Sequence, residues 1–160
     1  MQKITYRELQ GSDIEMVIDY RILFLNELQG HQSPEQEAQL RRELFTYFTH
    51  AFSDKSFTGI VATVNNEPVG FGGMVIQKIP GNFEIMHGFE GYILNMYTLP
   101  EHRKKGIAAH ILNSLIEKGR TLQLDKVYLH AAEDGIALYR RSGFKDPSWP
   151  VLELFTGRNC

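Results

Sequence analysis

The stretch covering residues 92–118 constrains the fold of this chain more than any other. Residues 92–99 are rich in β-forming side chains and are followed by Pro100, which predicts a strand that ends there. A helix is predicted over residues 106–118, because apolar side chains recur at the spacing of one helical face: Ile107, Ala108, Ile111, Leu112, Leu115 and Ile116. A strand that leads through a short turn into an amphipathic helix indicates a helix packed on a sheet.

Similar patterns extend over the rest of the chain. Two helices are predicted over residues 12–30 and 33–52, and two strands over residues 57–64 and 69–79, with Asn65-Asn66 as the hairpin turn. A loop over residues 80–91 comes before the 92–99 strand. After the 106–118 helix we expect a strand over 126–131, a short helix over 134–142 and one or two final strands from Phe144, including residues 151–156. The expected fold class is α/β (α+β), a mixed, mostly antiparallel central sheet flanked by helices, in a single domain over residues 1–160.

The first two predicted helices carry capping signals at their starts. Ser12 and Glu15 have the spacing of a capping box before the first apolar helical face. Ser33 is expected to cap the second helix, with Pro34 at its first position, where the missing N–H of proline has no cost.

Three glycines, Gly70, Gly72 and Gly73, lie inside the 69–79 strand. Glycine weakens a regular strand because it has no side chain to pack. Their presence therefore predicts a bend, a bulge or the close approach of a neighbouring element.

Charge and cysteine content exclude several classes of protein. The chain of 160 residues carries 17 Lys and Arg against 19 Asp and Glu, a net charge of −2, which argues against a surface built to bind nucleic acid. Cys160 is the only cysteine, so no intramolecular disulfide can form and a cytoplasmic location is expected. The first residues lack the apolar core of a secretory signal, and no apolar run approaches the roughly 20 residues of a membrane span. No membrane partner is expected.

The turn before the 106–118 helix has the chemistry of an anion-binding site. It carries Arg103, Lys104 and Lys105, and Gly106 starts the helix. The first N–H groups of a helix have no intrahelical partner, and glycine lets a phosphate approach the backbone closely. A pyrophosphate is the expected ligand, and a solvated basic turn is the alternative from charge alone. A nucleotide P-loop is excluded, because the Gly-Lys-Ser/Thr sequence is missing.

These N–H groups do not account for tight binding by themselves. Each N–H bonded to a charged oxygen contributes about 1.5–3 kcal/mol, whereas micromolar binding needs about 8 kcal/mol after the costs of association. Further contacts are therefore expected from the neighbouring strand.

Two short motifs resemble those of a known enzyme family. Residues 103–108, Arg-Lys-Lys-Gly-Ile-Ala, match the Arg/Gln-x-x-Gly-x-Gly/Ala signature of the GNAT superfamily of N-acetyltransferases. Residues 138–144, Leu-Tyr-Arg-Arg-Ser-Gly-Phe, resemble the Leu-Tyr-x-x-x-Gly-Phe helix end that is the second hallmark of that family. The predicted order of elements also resembles the GNAT fold over nearly the whole chain.

The resemblance implies that acetyl-CoA is the cofactor, used as a co-substrate, and that its acetyl group passes to an amine by direct attack in a ternary complex. In GNAT proteins the strand before the signature separates from its neighbour, and its free backbone groups pair with pantetheine; the matching residues here are Met96, Tyr97 and Thr98. The pyrophosphate would bind at the turn that follows. The cofactor-binding residues there would be Arg103, Lys104, Lys105, Gly106, Ile107, Ala108 and Ala109.

The resemblance also places Tyr139 at the position of the general acid. A phenol with a pKa of about 10 stays protonated near pH 7 and can protonate a departing CoA thiolate, whose pKa as a thiol is about 8.5. A core position beside Ile136 and Leu138 is the alternative from the helix alone. Many family members contact the cofactor through an asparagine where this chain has Ala132.

No single residue stands out as the general base that takes the proton of the acceptor amine. The candidates are Glu84, His87 and Glu90 in the predicted 80–91 loop, His130, or a water molecule that Asn95 could orient. Each of these side chains has a structural alternative as a surface group or hydrogen-bonding residue. No metal is expected, because the six histidines include no closely spaced pair.

The acceptor is expected in a cleft shaped by the first two helices and the 80–91 loop. Four aromatic residues either line this cleft or belong to the core: Tyr20, Phe24, Phe45 and Tyr47. A primary amine of a small molecule or of a protein fits the resemblance, as does a homodimer. A non-catalytic acetyl-CoA sensor is the alternative function, favoured by Ala132 and the missing base. A nucleic-acid partner at residues 103–105 is not expected, because no aromatic stacking platform surrounds them.

Overall fold

The structure, a computed structural model, describes residues 3–157. The chain divides into two compact units, of which the first ends at His130 and the second begins at Ala131. A single domain over residues 1–160 stays a prediction. Among residues 3–157, no helix combines the length and the apolar character that a membrane span requires.

The first unit holds a five-stranded sheet and three α-helices within the described residues. In chain order its elements are β1 (Ile4–Glu8), α1 (Ile14–Gln29), α2 (Pro34–Ser53), β2 (Phe57–Val64), β3 (Glu67–Lys78), β4 (Phe89–Thr98), α3 (Ile107–Thr121) and β5 (Lys126–Leu129). The second unit holds a 3-10 turn (Glu133–Gly135) that leads directly into the short helix α4 (Ile136–Arg141).

The strands follow their chain order across the sheet, from β1 at one edge to β5 at the other. β1 to β4 are antiparallel to one another, whereas β5 runs parallel to β4. A parallel pair needs a crossover connection, and α3 provides it. The structure confirms the predicted fold class, a mixed and mostly antiparallel sheet flanked by helices.

Side chains of alternating size on β3 determine which helices cover each face of the sheet. Phe71 is buried in a cluster with apolar residues of α1 and α2. Its neighbours Gly70 and Gly72 face the other side, where a Cβ at Gly72 would lie 2.7 Å from Cγ2 of Ile111 on α3. The register of β3 and β4 also shifts between Phe71 and Gly73. Both the bulge and the close approach predicted from these glycines are confirmed.

One of the two capping predictions holds. Ser33 Oγ accepts from the N–H of Gln36, and Gln36 Oε1 accepts from the N–H of Ser33, both at 3.2 Å. The Ser12 cap is wrong, because a 3-10 turn comes before α1. In that turn the Asp13 carboxylate accepts from the N–H of Gln10 at 2.8 Å, so Asp13 rather than Ser12 satisfies the free donor.

The predicted 80–91 loop is shorter than expected. β4 begins at Phe89, and Glu90 is already paired with Lys126 of β5. β4 extends towards the loop because Phe89 and Glu90 also pair with Lys78 and Gln77 of β3, and Glu90, which lies between two strands, is a buried strand residue, 5% exposed.

The final strands predicted from Phe144, including residues 151–156, are wrong. The described residues 144–157 contain no strand. Leu152 and Phe155 are 90% and 93% exposed. β-forming side chains produce a strand only where a neighbouring strand offers hydrogen-bond partners, and this segment has no such neighbour within residues 3–157.

Candidate functional site

β4 continues beyond the end of its pairing with β5. The parallel ladder ends at Ile93 and Leu129, whereas β4 runs on to Thr98. Asn95 lies in this continuation with a φ of 57°, at the level where β3 and β4 change register. The second half of β4 therefore has an edge that β5 does not cover.

The uncovered edge presents the backbone of Thr98. The N–H of Leu99 donates to the carbonyl of Val69 on β3 at 2.9 Å. Because backbone groups alternate along a strand, those of Tyr97 also turn towards β3 and those of Thr98 turn away from it. The Met96 side chain points to the α3 face, since a Cβ at Gly72 would lie 2.5 Å from its sulfur.

The turn after β4 presents a row of free backbone donors. Lys104 and Gly106 both have left-handed backbones, with φ of 60° and 78°. Within residues 3–157 the N–H groups from Lys104 to Ala109 donate to no backbone or side-chain acceptor, and the first helical bond of α3 runs from His110 to Gly106 at 3.0 Å. A Cβ at Gly106 would meet no atom within 4 Å. These donors and the open space fit a diphosphate group.

The side chain of Arg103 is engaged inside the first unit. Its Nη2 donates to both carboxylate oxygens of Glu27 on α1 at 2.8 Å, and its Nε donates to the carbonyl of Thr98 at 2.9 Å. Its guanidinium carbon also lies 5.6 Å from the centre of the Tyr97 ring. These contacts tie the turn to α1 and to the end of β4. Lys105 donates to the carbonyl of Glu101 at 3.0 Å.

The Tyr97 side chain belongs to the core rather than to the open edge. It is 9% exposed and makes edge-to-face contacts with Tyr20 and Phe24 of α1. Burial raises the pKa of Tyr97, and the nearby Glu27 carboxylate raises it further. The Tyr97 side chain therefore does not face the open edge of β4.

Comparison with known proteins shows the family of this chain. A model of the Acetyltransferase (GNAT) family matches residues 23–144. The chain belongs to the GNAT family. None of the curated proteins matches this GNAT chain significantly.

Solved structures agree with this family. A predicted acetyltransferase from Clostridium acetobutylicum, crystallised with acetyl-CoA, is 26% identical, with a TM-score of 0.84 over 94% of this chain and 96% of that one. A GCN5-related N-acetyltransferase from Ralstonia eutropha JMP134 shares the fold at 24% identity and a TM-score of 0.84, covering 95% and 99% of the two chains. The GNAT family and these structures support acyltransferase activity.

Tyr139 lies on α4 in the second unit of this GNAT chain. Its ring meets Phe144 edge to face at 6.0 Å, and a Cβ at Gly135 would lie 2.7 Å from it. The half-buried hydroxyl donates to no acceptor within the described residues. Burial raises the pKa of Tyr139 above its ordinary value, so the phenol stays protonated at neutral pH.

The candidate bases occupy different environments. Glu90 is buried and its carboxylate lies 2.9 Å from Lys126 Nζ and 3.2 Å from Gln77 Nε2. His87 is exposed, with Nδ1 3.3 Å from an Asp125 oxygen. Glu84 is exposed, and the exposed His130 meets the Tyr92 ring edge to face at 5.3 Å. Only Glu90 and His130 lie beside the aromatic residues of β4 and β5.

The four aromatic residues proposed for the acceptor cleft divide between core and surface. Tyr20 is buried and its hydroxyl donates to the carbonyl of Pro68, while Phe24 is partly buried. Phe45 and Tyr47 on α2 are exposed. Within the part of the chain that the structure describes, no group of three or more His, Cys, Asp or Glu side chains could hold a metal ion.

Sequence reasoning missed Arg21 and the importance of Asn95. Arg21 on α1 is half-buried, and its Nη1 donates to Oδ1 of Asn95, which is 2% exposed. The signal was the position of Arg21 on the apolar stripe, between Ile18 and Ile22, both buried. A cation on the buried face of a helix is uncommon unless it has a partner.

The contacts of Arg103 lead to a prediction about cofactor affinity. Arg103→Ala should weaken acetyl-CoA binding by about 2–10-fold, because the turn loses the bonds that order it before the ligand arrives. Unfolding should be little affected, since exposed ion pairs contribute about 1 kcal/mol or less. Calorimetric titration measures the affinity, and Arg120→Ala, which removes an exposed pair with Glu117 on α3, is the control. Equal affinities for the two variants would contradict a positioning role for Arg103.

Proposed function

We propose that this chain is an N-acetyltransferase that transfers the acetyl group of acetyl-CoA to a primary amine of a small molecule or protein. The proposal depends on one observation: the free N–H groups from Lys104 to Ala109 directly follow the uncovered edge of β4. N–H donors suit the charged oxygens of a diphosphate, and a free strand edge suits the amide groups of pantetheine. The acetyl-CoA complex of the Clostridium protein supports the same ligand.

In this proposal the cofactor contacts fall on two segments of the first unit. The backbone from Lys104 to Ala109 holds the pyrophosphate, with the positive charges of Lys104 and Lys105 beside it. Of the strand residues Met96, Tyr97 and Thr98, Thr98 offers pantetheine the backbone groups that face the free edge, whereas the backbone groups of Tyr97 face β3. Arg103 acts as a positioning residue for the turn rather than as a direct phosphate ligand.

The proposed reaction forms an N–C bond and breaks the C–S bond of the thioester. The neutral acceptor nitrogen attacks the thioester carbonyl in a ternary complex, the CoA thiolate leaves, and the nitrogen gives one proton to water as the amide forms. Tyr139 gives its phenolic proton to that sulfur and is protonated again by solvent. Tyr139 carries its proton before the step, because the pKa of an ordinary phenol is about 10 and burial raises the pKa of Tyr139 above that value.

The acceptor amine must lose a proton before or during the attack. A lysine-like amine has a pKa of about 10.4 and is mostly charged near pH 7. Glu90 is held by Lys126 and Gln77, and His130 lies against Tyr92. We propose that a water molecule beside the free half of β4 takes this proton, either alone or with His130.

The test is an acceptor screen that measures free CoA with a thiol reagent while acetyl-CoA and a broad panel of amines are supplied. Release of CoA that depends on an amine, with an acetylated amine identified by mass spectrometry, is the expected result. Acetyl-CoA binding without turnover of any small amine or amine-bearing peptide would instead support the sensor hypothesis. Ala132 favours this second candidate. It stands at the start of the 133–135 turn, and its side chain makes no capping hydrogen bond there and could not make the cofactor contact of the family asparagine.

A further inference from the structure

Arg21 carries a positive charge that nothing in the described structure neutralises. Arg7, Arg41, Arg103, Arg120 and Arg140 each form an ion pair, whereas within residues 3–157 no carboxylate lies within ion-pair distance of Arg21. Its one hydrogen bond goes to the neutral amide of Asn95. Burial lowers the pKa of Arg21, which is the sign of a guanidinium that has lost water without gaining an anion.

The groups around Arg21 are donors or neutral rings. Its Nε is buried and has no hydrogen-bond partner among residues 3–157, and the same holds for Nδ2 of Asn95. The rings of Tyr47 and Tyr92 lie near Arg21. Burial raises the pKa of both tyrosines, and the positive charge of Arg21 opposes that rise. Tyr92 is stacked on Tyr128 of β5 at 5.1 Å. This part of the first unit therefore has unused hydrogen-bond donors and a net positive charge.

Several side chains around Arg21 are exposed to solvent. Tyr47 on α2 is 43% exposed, His130 at the end of β5 is exposed, and Arg21 itself is only partly buried. These residues lie on the α1 and α2 side of the sheet, at the level where β4 leaves β5. This is the side on which the proposed function needs its acceptor.

We propose that Arg21 binds the carboxylate of the acceptor, so that the substrate class is a small amine that carries a carboxylate close to its amino group, such as an α-amino acid. The planar guanidinium matches a carboxylate in a two-bond geometry. One negative charge also matches the charge of Arg21, which has no ion-pair partner within residues 3–157, whereas Lys126 is already paired with Glu90. A doubly charged phosphate would leave a negative charge uncompensated.

Asn95 connects this anion site to the reaction. It holds the Arg21 guanidinium and directly precedes Met96, where the proposed pantetheine contacts begin. An acceptor whose carboxylate lies on Arg21 would therefore have its amino group near the uncovered half of β4. This inference rests on the proposed function for the direction of transfer, but the anion site itself can be tested without turnover.

The experiment compares matched acceptors on matched variants. The panel contains α-amino acids, their neutral amides and their decarboxylated amines, for example L-phenylalanine, L-phenylalaninamide and 2-phenylethylamine, together with β-alanine. The quantity compared is the acid-to-amide ratio, which is kcat/KM for the amino acid divided by kcat/KM for its amide. We expect Arg21→Gln to lower this ratio by about 10–100-fold, because a hydrogen-bonded pair of charges is lost. Differences in the pKa of the acceptor amines cancel, because each ratio is compared between enzymes.

Three further variants separate charge from structure. Arg42→Gln removes an exposed arginine of α2 and should leave the ratio unchanged. Arg21→Lys keeps the charge without the planar fork and should give an intermediate ratio. Asn95→Asp places a carboxylate of the protein itself beside Arg21. Because this carboxylate would neutralise Arg21, the variant should lower the ratio as strongly as Arg21→Gln. Thermal unfolding identifies any variant that fails to fold.

Calorimetric binding of each acid to the CoA-saturated protein is measured in parallel. Amino acids that bind to the wild type and not to Arg21→Gln support the anion site, whether or not any amine is acetylated. If no amine is acetylated, only the proposed function is wrong. If amines are acetylated with the same acid-to-amide ratio in the wild type and in Arg21→Gln, the inference is wrong and the proposed function stands. Failure of every acid in the panel to bind to the wild type would equally overturn it.

Discussion

The Tyr139→Phe variant should turn over about 10²–10⁴-fold more slowly than the wild type, the range lost when a positioned general acid is removed. Phenylalanine keeps the ring that packs against Phe144 and removes only the hydroxyl. The fold and the affinity for acetyl-CoA should therefore be nearly unchanged. The measurement is kcat with the best acceptor of the screen, beside a calorimetric titration of acetyl-CoA.

Tyr6→Phe provides the matched control for this prediction. Tyr6 on β1 is stacked on His110 at 3.6 Å, away from the uncovered half of β4, and has no role in the proposed reaction. Its loss of a hydroxyl should leave kcat unchanged. A Tyr139→Phe enzyme with wild-type turnover would show that another group, or water, protonates the thiolate.

The pH dependence has a definite sign. A general acid works only while it holds its proton. As far as Tyr139 is concerned, kcat should therefore be constant at low pH and should fall as the pH rises through the pKa of Tyr139. Burial raises that pKa, which moves the alkaline decline above the pH of an ordinary tyrosine. The Tyr139→Phe profile should lack this decline.

The second large effect is expected on the affinity for acetyl-CoA, at the turn between β4 and α3. Gly106→Ala should weaken acetyl-CoA binding by at least about tenfold, because the alanine Cβ enters the open space proposed for the diphosphate and the left-handed backbone becomes strained. The strain alone costs roughly 1–2 kcal/mol of folding stability. Calorimetry and urea unfolding separate the two effects.

Gly30 provides a control for the strain at a glycine outside the turn. It has a φ of 81° and a ψ of 166°, a backbone that is essentially restricted to glycine, and a Cβ at Gly30 or at Gly106 would meet no atom within 4 Å. Gly30→Ala should therefore lose at least as much folding stability as Gly106→Ala, while its affinity for acetyl-CoA stays near the wild-type value. Equal losses of affinity in the two variants would contradict a diphosphate site at Gly106.

Local patterns in the sequence predicted most of the elements correctly, because their causes lie within a few neighbouring residues. Ser33 and Gln36 cap α2 across one turn. Asn65 and Asn66, with φ of 50° and 66°, form the hairpin turn between β2 and β3. The basic turn before α3 was predicted in the same way, from a strand, a glycine and a helical stripe that are contiguous in the chain.

Errors occurred where an element depends on a distant partner. The start of β4 was placed too late: Phe89 and Glu90 pair with Lys78 and Gln77 of β3, and Lys126 of β5, far away in the chain, also pairs with Glu90. The strand over 151–156 was predicted from composition, yet a strand needs a neighbour to satisfy its backbone groups. Neither condition can be recognised in one segment of sequence.

The sequence by itself determined the family, the order of the elements as far as α4 and the turn that we propose for the pyrophosphate. Only the tertiary structure decided what the charged side chains do. It engages Arg103 with Glu27 of α1 and leaves Arg21 half-buried beside a neutral Asn95. The physical reason is that the free energy of a charge depends on the water it loses and the anion it gains, and both come from residues far away in the chain.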